Sequence, residues 1–273
     1  MTNLGLRTIS GALFVAIIIG SILLGNLVFA IVFSIISAFA IFEFHKITNN
    51  KQNVHVKSLL SVFGGILLFF CFYLSASKLS DFPLIFVYGS FLIFCFVIEL
   101  YRQQVNPVHN WAYFVLGQIM VALPFALLSN IYFINGESNP LLLLSVFITI
   151  WVNDSFAYLF GVSFGKHRLF ERISPKKSWE GFIGGAIGAI LSGYLFSQFS
   201  SALNLVQWII LSELIIVFAT LGDLIESLLK RTLDVKDSGN TIPGHGGLLD
   251  RFDSMLMVVP VVYLYFSIVN LYK

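Results

Sequence analysis

TISGALFVAIIIGSILLGNLVFAIVFSIISAFAIF runs from Thr8 to Phe42 without a charged residue, bounded by Arg7 and Glu43. As one helix rising 1.5 Å per residue, the stretch would extend about 50 Å, whereas the apolar slab of a bilayer is about 30 Å thick. It is too long for one crossing even with ordinary tilt. Gly25-Asn26, near its middle, has the residue types of a turn. The stretch therefore predicts two spans, at 8–24 and 27–42. Reading outward adds spans near 58–74, 82–100, 111–128, 141–160, 181–199, 205–222 and 255–271, nine in all.

Composition agrees with that count. The 273 residues hold 16 Lys+Arg and 14 Asp+Glu, so charged residues are 11% of the chain and apolar residues 58%. A soluble domain carries about 25% charged residues, and this chain cannot clothe a water-facing surface of its size. Soluble enzymes, disordered chains and nucleic-acid binders are excluded. The pattern argues against a transmembrane β-barrel, because the apolar residues come in long runs and do not alternate. The expected fold is an all-α polytopic membrane protein. Cys71 and Cys95 lie inside apolar runs and read as small apolar residues, not as a disulfide or metal pair. The segment after Arg7 lacks a convincing small-x-small cleavage site and reads as a retained first span.

Nine spans place Arg7, Lys46, Lys51, Lys57, Arg102, Lys166, Arg168, Arg172, Lys176, Lys177, Lys230, Arg231, Lys236 and Arg251 on one face, and Lys78 and Lys273 on the other. By the positive-inside rule the N-terminus is cytoplasmic and the C-terminus outside. The chain is also uneven along its length. Residues 1–140 have sparse polar residues and read as a transmembrane scaffold of about five spans. Residues 141–273 carry four spans and two charged cytoplasmic loops, 161–180 and 223–254, and read as the catalytic part.

The second loop region opens with helical spacing. Asp223, Ser227 and Lys230 share one face, with Glu226 beside them and Arg231 following. Asp250 and Asp253 fall at i and i+3 at the start of the last span, flanking Arg251. Between these two groups lie Lys236, Asp237, Pro243, His245, Gly246 and Gly247. Carboxylate oxygens are the ligands of hard cations such as Mg²⁺, Lys and Arg hold phosphate oxygens, and glycines let backbone N–H groups approach an anion. The first loop carries Ser174-Pro175-Lys176-Lys177. Ser as N-cap and Pro at the first position predict a helix start there, with two lysines in the first turn ready to meet an anion. The segment 161–166 is one residue short of a phosphate-binding P-loop and follows a membrane helix, so that reading is rejected. Gly181, Gly184, Gly185 and Gly188 form small-residue faces suited to helix packing. Asp154 and Glu213 each sit near the middle of a span, where a carboxylate is expensive. Asp154, beside Asn153 and Ser155, is expected at or near the site.

The segment 227–253, with Ser227, Lys230, Arg231, Lys236, Asp237, Gly239, Pro243, His245, Gly246, Gly247, Asp250, Arg251 and Asp253 in place, resembles the signature of bacterial phosphatidate cytidylyltransferases, the CDP-diacylglycerol synthases. Asp154 with Gly161, Gly165 and Lys166, and Ser174-Pro175-Lys176-Lys177-Ser178 with Glu180 and Gly181, extend the resemblance over about 150–254. It implies that CTP and phosphatidate are joined to give CDP-diacylglycerol and pyrophosphate with Mg²⁺, at the cytoplasmic face of the cytoplasmic membrane. On that reading Asp223 and Asp250, then Asp253 and Asp154, are the expected metal ligands. Lys230, Arg231, Lys236 and Arg251 hold triphosphate or lipid phosphate, with Ser227 and Asp237 beside them. His245, Gly246 and Gly247 shape the nucleotide turn, and Ser174, Lys176 and Lys177 bind anions. The glycine-rich face of the seventh span suits a homodimer. The competing readings are a transporter using Asp154 and Glu213, and a CTP-dependent kinase or cytidylyltransferase acting on another lipid.

Overall fold

The computed structural model describes residues 3–51, 53–242, 244 and 246–271. Pro243, His245 and Lys273 lie outside the described residues. The fold is that of an all-α polytopic membrane protein, with two short hairpins among the described residues. Seven of the described helices are long and apolar enough to cross a membrane. Two shorter apolar ones, at Thr8–Leu23 and Ile85–Tyr101, complete the expected set. The chain forms two compact units. The first comprises 1–138 and 232–252, the second 139–231 and 253–273.

In the first unit, α1 (Asn3–Leu23) and α2 (Asn26–Thr48) break at Gly25, as the turn signal predicts. Gly25 has φ 110°, a left-handed value that a side chain would strain. α3 (Ser58–Ala76) and α4 (Ile85–Tyr101) follow. The fifth span is a composite: α5 (Pro107–Gly117), a π turn over Gln118–Ala122, and α6 (Leu123–Tyr132). Pro124 has no N–H and crowds the carbonyl four residues back, so the helix widens there and Leu123 N–H donates to Gln118 O, five residues back. A first hairpin pairs β1 (Phe133–Ile134) with β2 (Glu137–Ser138).

This unit is held by rings and by buried polar contacts. Phe29 stacks on Tyr132 with centroids 4.3 Å apart and touches Phe33 and Phe69. His45 Nε2 meets Ser61 Oγ at 2.6 Å, Gln118 Nε2 donates to Ser61 Oγ at 2.8 Å, and Tyr88 OH donates to Gln118 Oε1 at 3.0 Å. Lipid is as apolar as leucine, so helix association in a membrane draws on such interhelical hydrogen bonds and close packing. Cys71 and Cys95 are free and buried, as expected.

In the second unit, α7 (Pro140–Phe164) starts from Asn139, whose side chain accepts from Leu142 N–H. A hairpin of β3 (Arg168–Phe170) and β4 (Ser174–Ser178) leads into α8 (Trp179–Phe199), then α9 (Leu205–Thr232) and α10 (Leu249–Leu271), which joins this unit from Asp253 onward. α7 and α8 make the most extensive helix pair. A Cβ on Gly184 would lie 2.4 Å from Phe160, on Gly185 2.2 Å from Asn153 Oδ1, and on Gly188 2.7 Å from Phe156. The glycine faces are therefore packing surfaces, as expected. Because α7 fills them, any homodimer would have to use another surface.

One expectation is corrected here. No helix starts at Ser174-Pro175. Ser174–Ser178 is a strand, with Ser174 opposite Phe170 and Ser178 opposite Arg168. The cap is Ser178, whose Oγ accepts Gly181 N–H at 3.1 Å, and the helix begins at Trp179. The helix dipole explains the choice. A start at Ser174 puts Lys176 and Lys177 in the first turn, whereas a start at Ser178 puts Glu180 there.

Candidate active site

A cavity of the second unit has a volume of about 330 Å³. α7 supplies Asn153, Asp154 and Tyr158, the hairpin supplies Lys176, Lys177 and Ser178, α8 supplies Phe182, and α9 supplies Thr220 and Asp223. The lining thus mixes charged side chains with apolar ones, Ala157, Leu169, Phe182 and Ala219. This suits a ligand with an anionic head and a greasy tail.

Each charged side chain is placed by its element. The strand conformation of β4 sends Lys176 and Lys177 to opposite faces. Lys176 is exposed, and Lys177 Nζ reaches Asp223 Oδ2 at 2.6 Å. Ser227, one turn further along α9, donates to Asp223 Oδ1 at 3.2 Å, as their i, i+4 spacing predicts. Lys230 pairs with Glu226, which is 1% exposed, again at i, i+4. Glu180 holds the neck of the hairpin by accepting Lys166 N–H at 3.1 Å and His167 N–H at 3.2 Å, while meeting His167 Nδ1 at 2.6 Å.

Asp253 enters from α10. A Cβ at Gly222 would lie 2.7 Å from the Asp253 carbonyl oxygen, so this glycine lets α9 and α10 approach closely. Asp253 consequently feels the charges of Asp223, Asp154 and Lys230. Three carboxylates in one neighbourhood repel one another. A donor set of carboxylate oxygens beside lysines suits a hard divalent cation together with the anion it accompanies. Among the described residues no three His, Cys, Asp or Glu side chains converge into a closed ligand set. At Asp223 the positive partner is the Lys177 ammonium.

The remaining expected residues, Arg231 apart, belong to the first unit. Lys236, Asp237 and Arg251 are exposed, as is Arg231 at the end of α9 in the second unit. Gly244 and Gly246 have φ of 76° and 85°, and Ile242 N–H donates to Gly246 O at 3.0 Å, so the turn closes on itself. Asp250 grips that turn: Gly247 N–H reaches its Oδ2 at 2.9 Å, and Ser238 N–H is 3.0 Å from the same oxygen. His245, expected at the tip, lies outside the described residues.

Sequence reasoning missed a partner of this turn. Glu43, more than a turn before the end of α2, is 3% exposed and accepts from Ser238, Thr241 and Leu249. Lys51 likewise reaches Asp234 at 3.2 Å. The one local signal for Glu43 is the acid that ends the charge-free run.

The cytidylyltransferase family model matches residues 5–269. The phosphatidate cytidylyltransferase of Bacillus subtilis is 32% identical over 268 residues, 96% of this chain and 97% of that one. That of Thermotoga maritima is 37% identical over 194 residues, 69% of this chain and 70% of its own. That of Haemophilus influenzae is 48% identical over 133 residues, 46% of each chain. With a match running from the first helix to the last, this polytopic membrane protein belongs to the cytidylyltransferase family and is a nucleotidyltransferase.

Proposed function

We propose that the protein transfers the cytidylyl group of CTP to phosphatidate, giving CDP-diacylglycerol and pyrophosphate. Alignment of nearly the whole chain with a phosphatidate cytidylyltransferase carries this reading. The cavity of the second unit, lined by both charged and apolar side chains, supports it. A phosphate oxygen of phosphatidate forms a bond to the α-phosphorus of CTP, and the bond from that phosphorus to the bridging oxygen breaks, so pyrophosphate leaves with the electron pair. The attacking oxygen is already anionic at neutral pH and needs no strong base. The work left to the protein is to bring two anions together and to hold the charge that moves to the leaving group.

Lys176 and Lys177 are assigned to an anionic phosphate, and Lys177 exchanges its Asp223 partner for that ligand. Lys230, Arg231, Lys236 and Arg251 are assigned to triphosphate or lipid phosphate. Asp223, Asp253 and Asp154 would hold Mg²⁺, which neutralises phosphate oxygens when bound. Asp250 holds the turn through the Ser238 and Gly247 N–H groups and is also assigned to a cation as a carboxylate ligand. The N-terminus and the two charged loops are assigned to the cytoplasm and the C-terminus to the outside, so the reaction takes place at the cytoplasmic face of the cytoplasmic membrane.

The test is pyrophosphate release by the purified protein given CTP and Mg²⁺, with and without phosphatidate. Release that requires the lipid is expected, with loss of about 10²-fold or more in Asp223→Asn. Release indifferent to phosphatidate would sink the assignment of the lipid substrate, and full turnover by Asp223→Asn would remove that residue from the metal.

A further inference from the structure

Glu43 ends the charge-free stretch that defines the first two helices, yet its carboxylate lies buried against a turn some two hundred residues further along the chain. Ser238 Oγ–H donates to its Oε2 at 3.2 Å, Leu249 N–H donates to the same oxygen at 2.8 Å, and Thr241 Oγ1–H donates to Oε1. All four residues belong to the first unit. Leu249 is the first residue of α10, so Glu43 caps that helix from a distance, accepting an N–H that has no partner within the helix. The first turn of α10 carries Asp250 and Arg251.

The glycines of the turn fit the same account. A Cβ on Gly239 would lie 2.6 Å from Glu43 Oε1, and one on Gly247 would lie 2.7 Å from Oε2. These two positions lack side chains because the carboxylate occupies the space. Asp250 takes the backbone N–H groups of Ser238 and Gly247, while Glu43 takes the hydroxyls of Ser238 and Thr241. Two carboxylates therefore grip one turn through different donors. Burying a carboxylate costs stability unless its hydrogen bonds are made, so such a group favours the one loop conformation that supplies them.

We infer that Glu43 is a positioning residue for the nucleotide turn: by binding Ser238, Thr241 and Leu249 it sets residues 238–242 of the turn and the start of α10 in the geometry that receives CTP. The inference rests on the proposed cytidylyl transfer and on the assignment of this turn to the nucleotide. Glu43 touches no substrate and acts only through the turn.

The experiment measures initial rates of CDP-diacylglycerol formation by purified full-length protein, varying CTP and phosphatidate separately, for Glu43→Ala, Glu43→Gln, Ser238→Ala/Thr241→Val and Arg251→Ala. Removing the grip is expected to raise the apparent KM for CTP by about tenfold or more, with the apparent KM for phosphatidate nearly unchanged. Glu43→Gln keeps an acceptor oxygen for Leu249 N–H and is expected to recover most of the loss. If Glu43→Ala does not fold, the Ser238→Ala/Thr241→Val pair decides, because it removes two of the three hydrogen bonds and leaves the carboxylate and its Leu249 N–H bond in place. An unchanged CTP dependence in that pair or in folded Glu43→Ala, alongside a raised one in Arg251→Ala, overturns the inference alone. An unchanged CTP dependence in Arg251→Ala as well overturns the assignment of the turn to the nucleotide. Absence of CTP turnover in the wild-type protein overturns the function.

Discussion

Replacing Gly247 by Ala isolates the packing of the turn from its charges. The added methyl would lie 2.1 Å from Ser238 Oγ, 2.7 Å from Glu43 Oε2 and 2.7 Å from Gly239 N. Ordinary contact begins at about 3.4 Å, so the hydroxyl must retreat by more than 1 Å and the Gly239 backbone by well over half that. A rotamer change can move the hydroxyl, but only a shift of the turn can move the backbone. Gly247 does not have a positive φ, so the effect comes from crowding and not from backbone strain. Overpacking of this kind costs about 1–3 kcal/mol. If that cost falls on the CTP-receiving geometry, kcat/KM for CTP drops by about 5- to 150-fold, since each 1.36 kcal/mol is a factor of ten. The assay is pyrophosphate release against CTP concentration at saturating phosphatidate, with thermal unfolding in detergent as the check on folding. Gly89→Ala is the control: it lies in α4 with nothing within 4 Å of its added Cβ and should leave both measurements unchanged. A Gly247→Ala protein with kcat/KM for CTP within about twofold of wild type would refute the reasoning, because the turn would then have absorbed a methyl without moving its ligand.

Asp253→Asn removes one of three mutually repelling carboxylates and should raise the unfolding temperature by about 2–4 °C while lowering CTP turnover by at least about 10²-fold. Differential scanning fluorimetry and the pyrophosphate assay, run on the same preparation, check whether the two move in opposite directions. Gly185→Ala drives a methyl to 2.2 Å from Asn153 Oδ1 in the α7–α8 contact. It should cost about 1–3 kcal/mol, read as a lower unfolding temperature, without a change in apparent KM for CTP in the protein that remains folded.

The apolar spans were legible because hydropathy and helix length are local properties, and the break at Gly25 followed from its residue type. The packing role of Gly184, Gly185 and Gly188 was legible for the same reason, as was the pairing of Asp223 with Ser227 along α9. The start of α8 was misread because two serines four residues apart both had cap chemistry. The deciding factor was where Lys176, Lys177 and Glu180 fell relative to the dipole. Glu43 was illegible for another reason. No periodicity links it to Ser238, Thr241 and Leu249, and only folding makes it part of the turn. A scaffold reading of the first half followed naturally from its sparse polar residues, and it overlooked one of them.

The sequence distance across that grip sets a schedule for biosynthesis. Glu43 and Leu249 are 206 residues apart. At about 5–20 residues per second, a ribosome needs roughly 10–40 s to supply the second after the first. Throughout that interval α2 exists with an acid in its C-terminal half and none of that acid's three donors yet made. The first unit closes only when residues 232–252 have been synthesised, late in the chain and after most of the second unit. The nascent protein must therefore hold an incomplete first unit while later helices are inserted. Any pause before residue 232 prolongs the exposure of an unsatisfied carboxylate to the insertion and quality-control machinery.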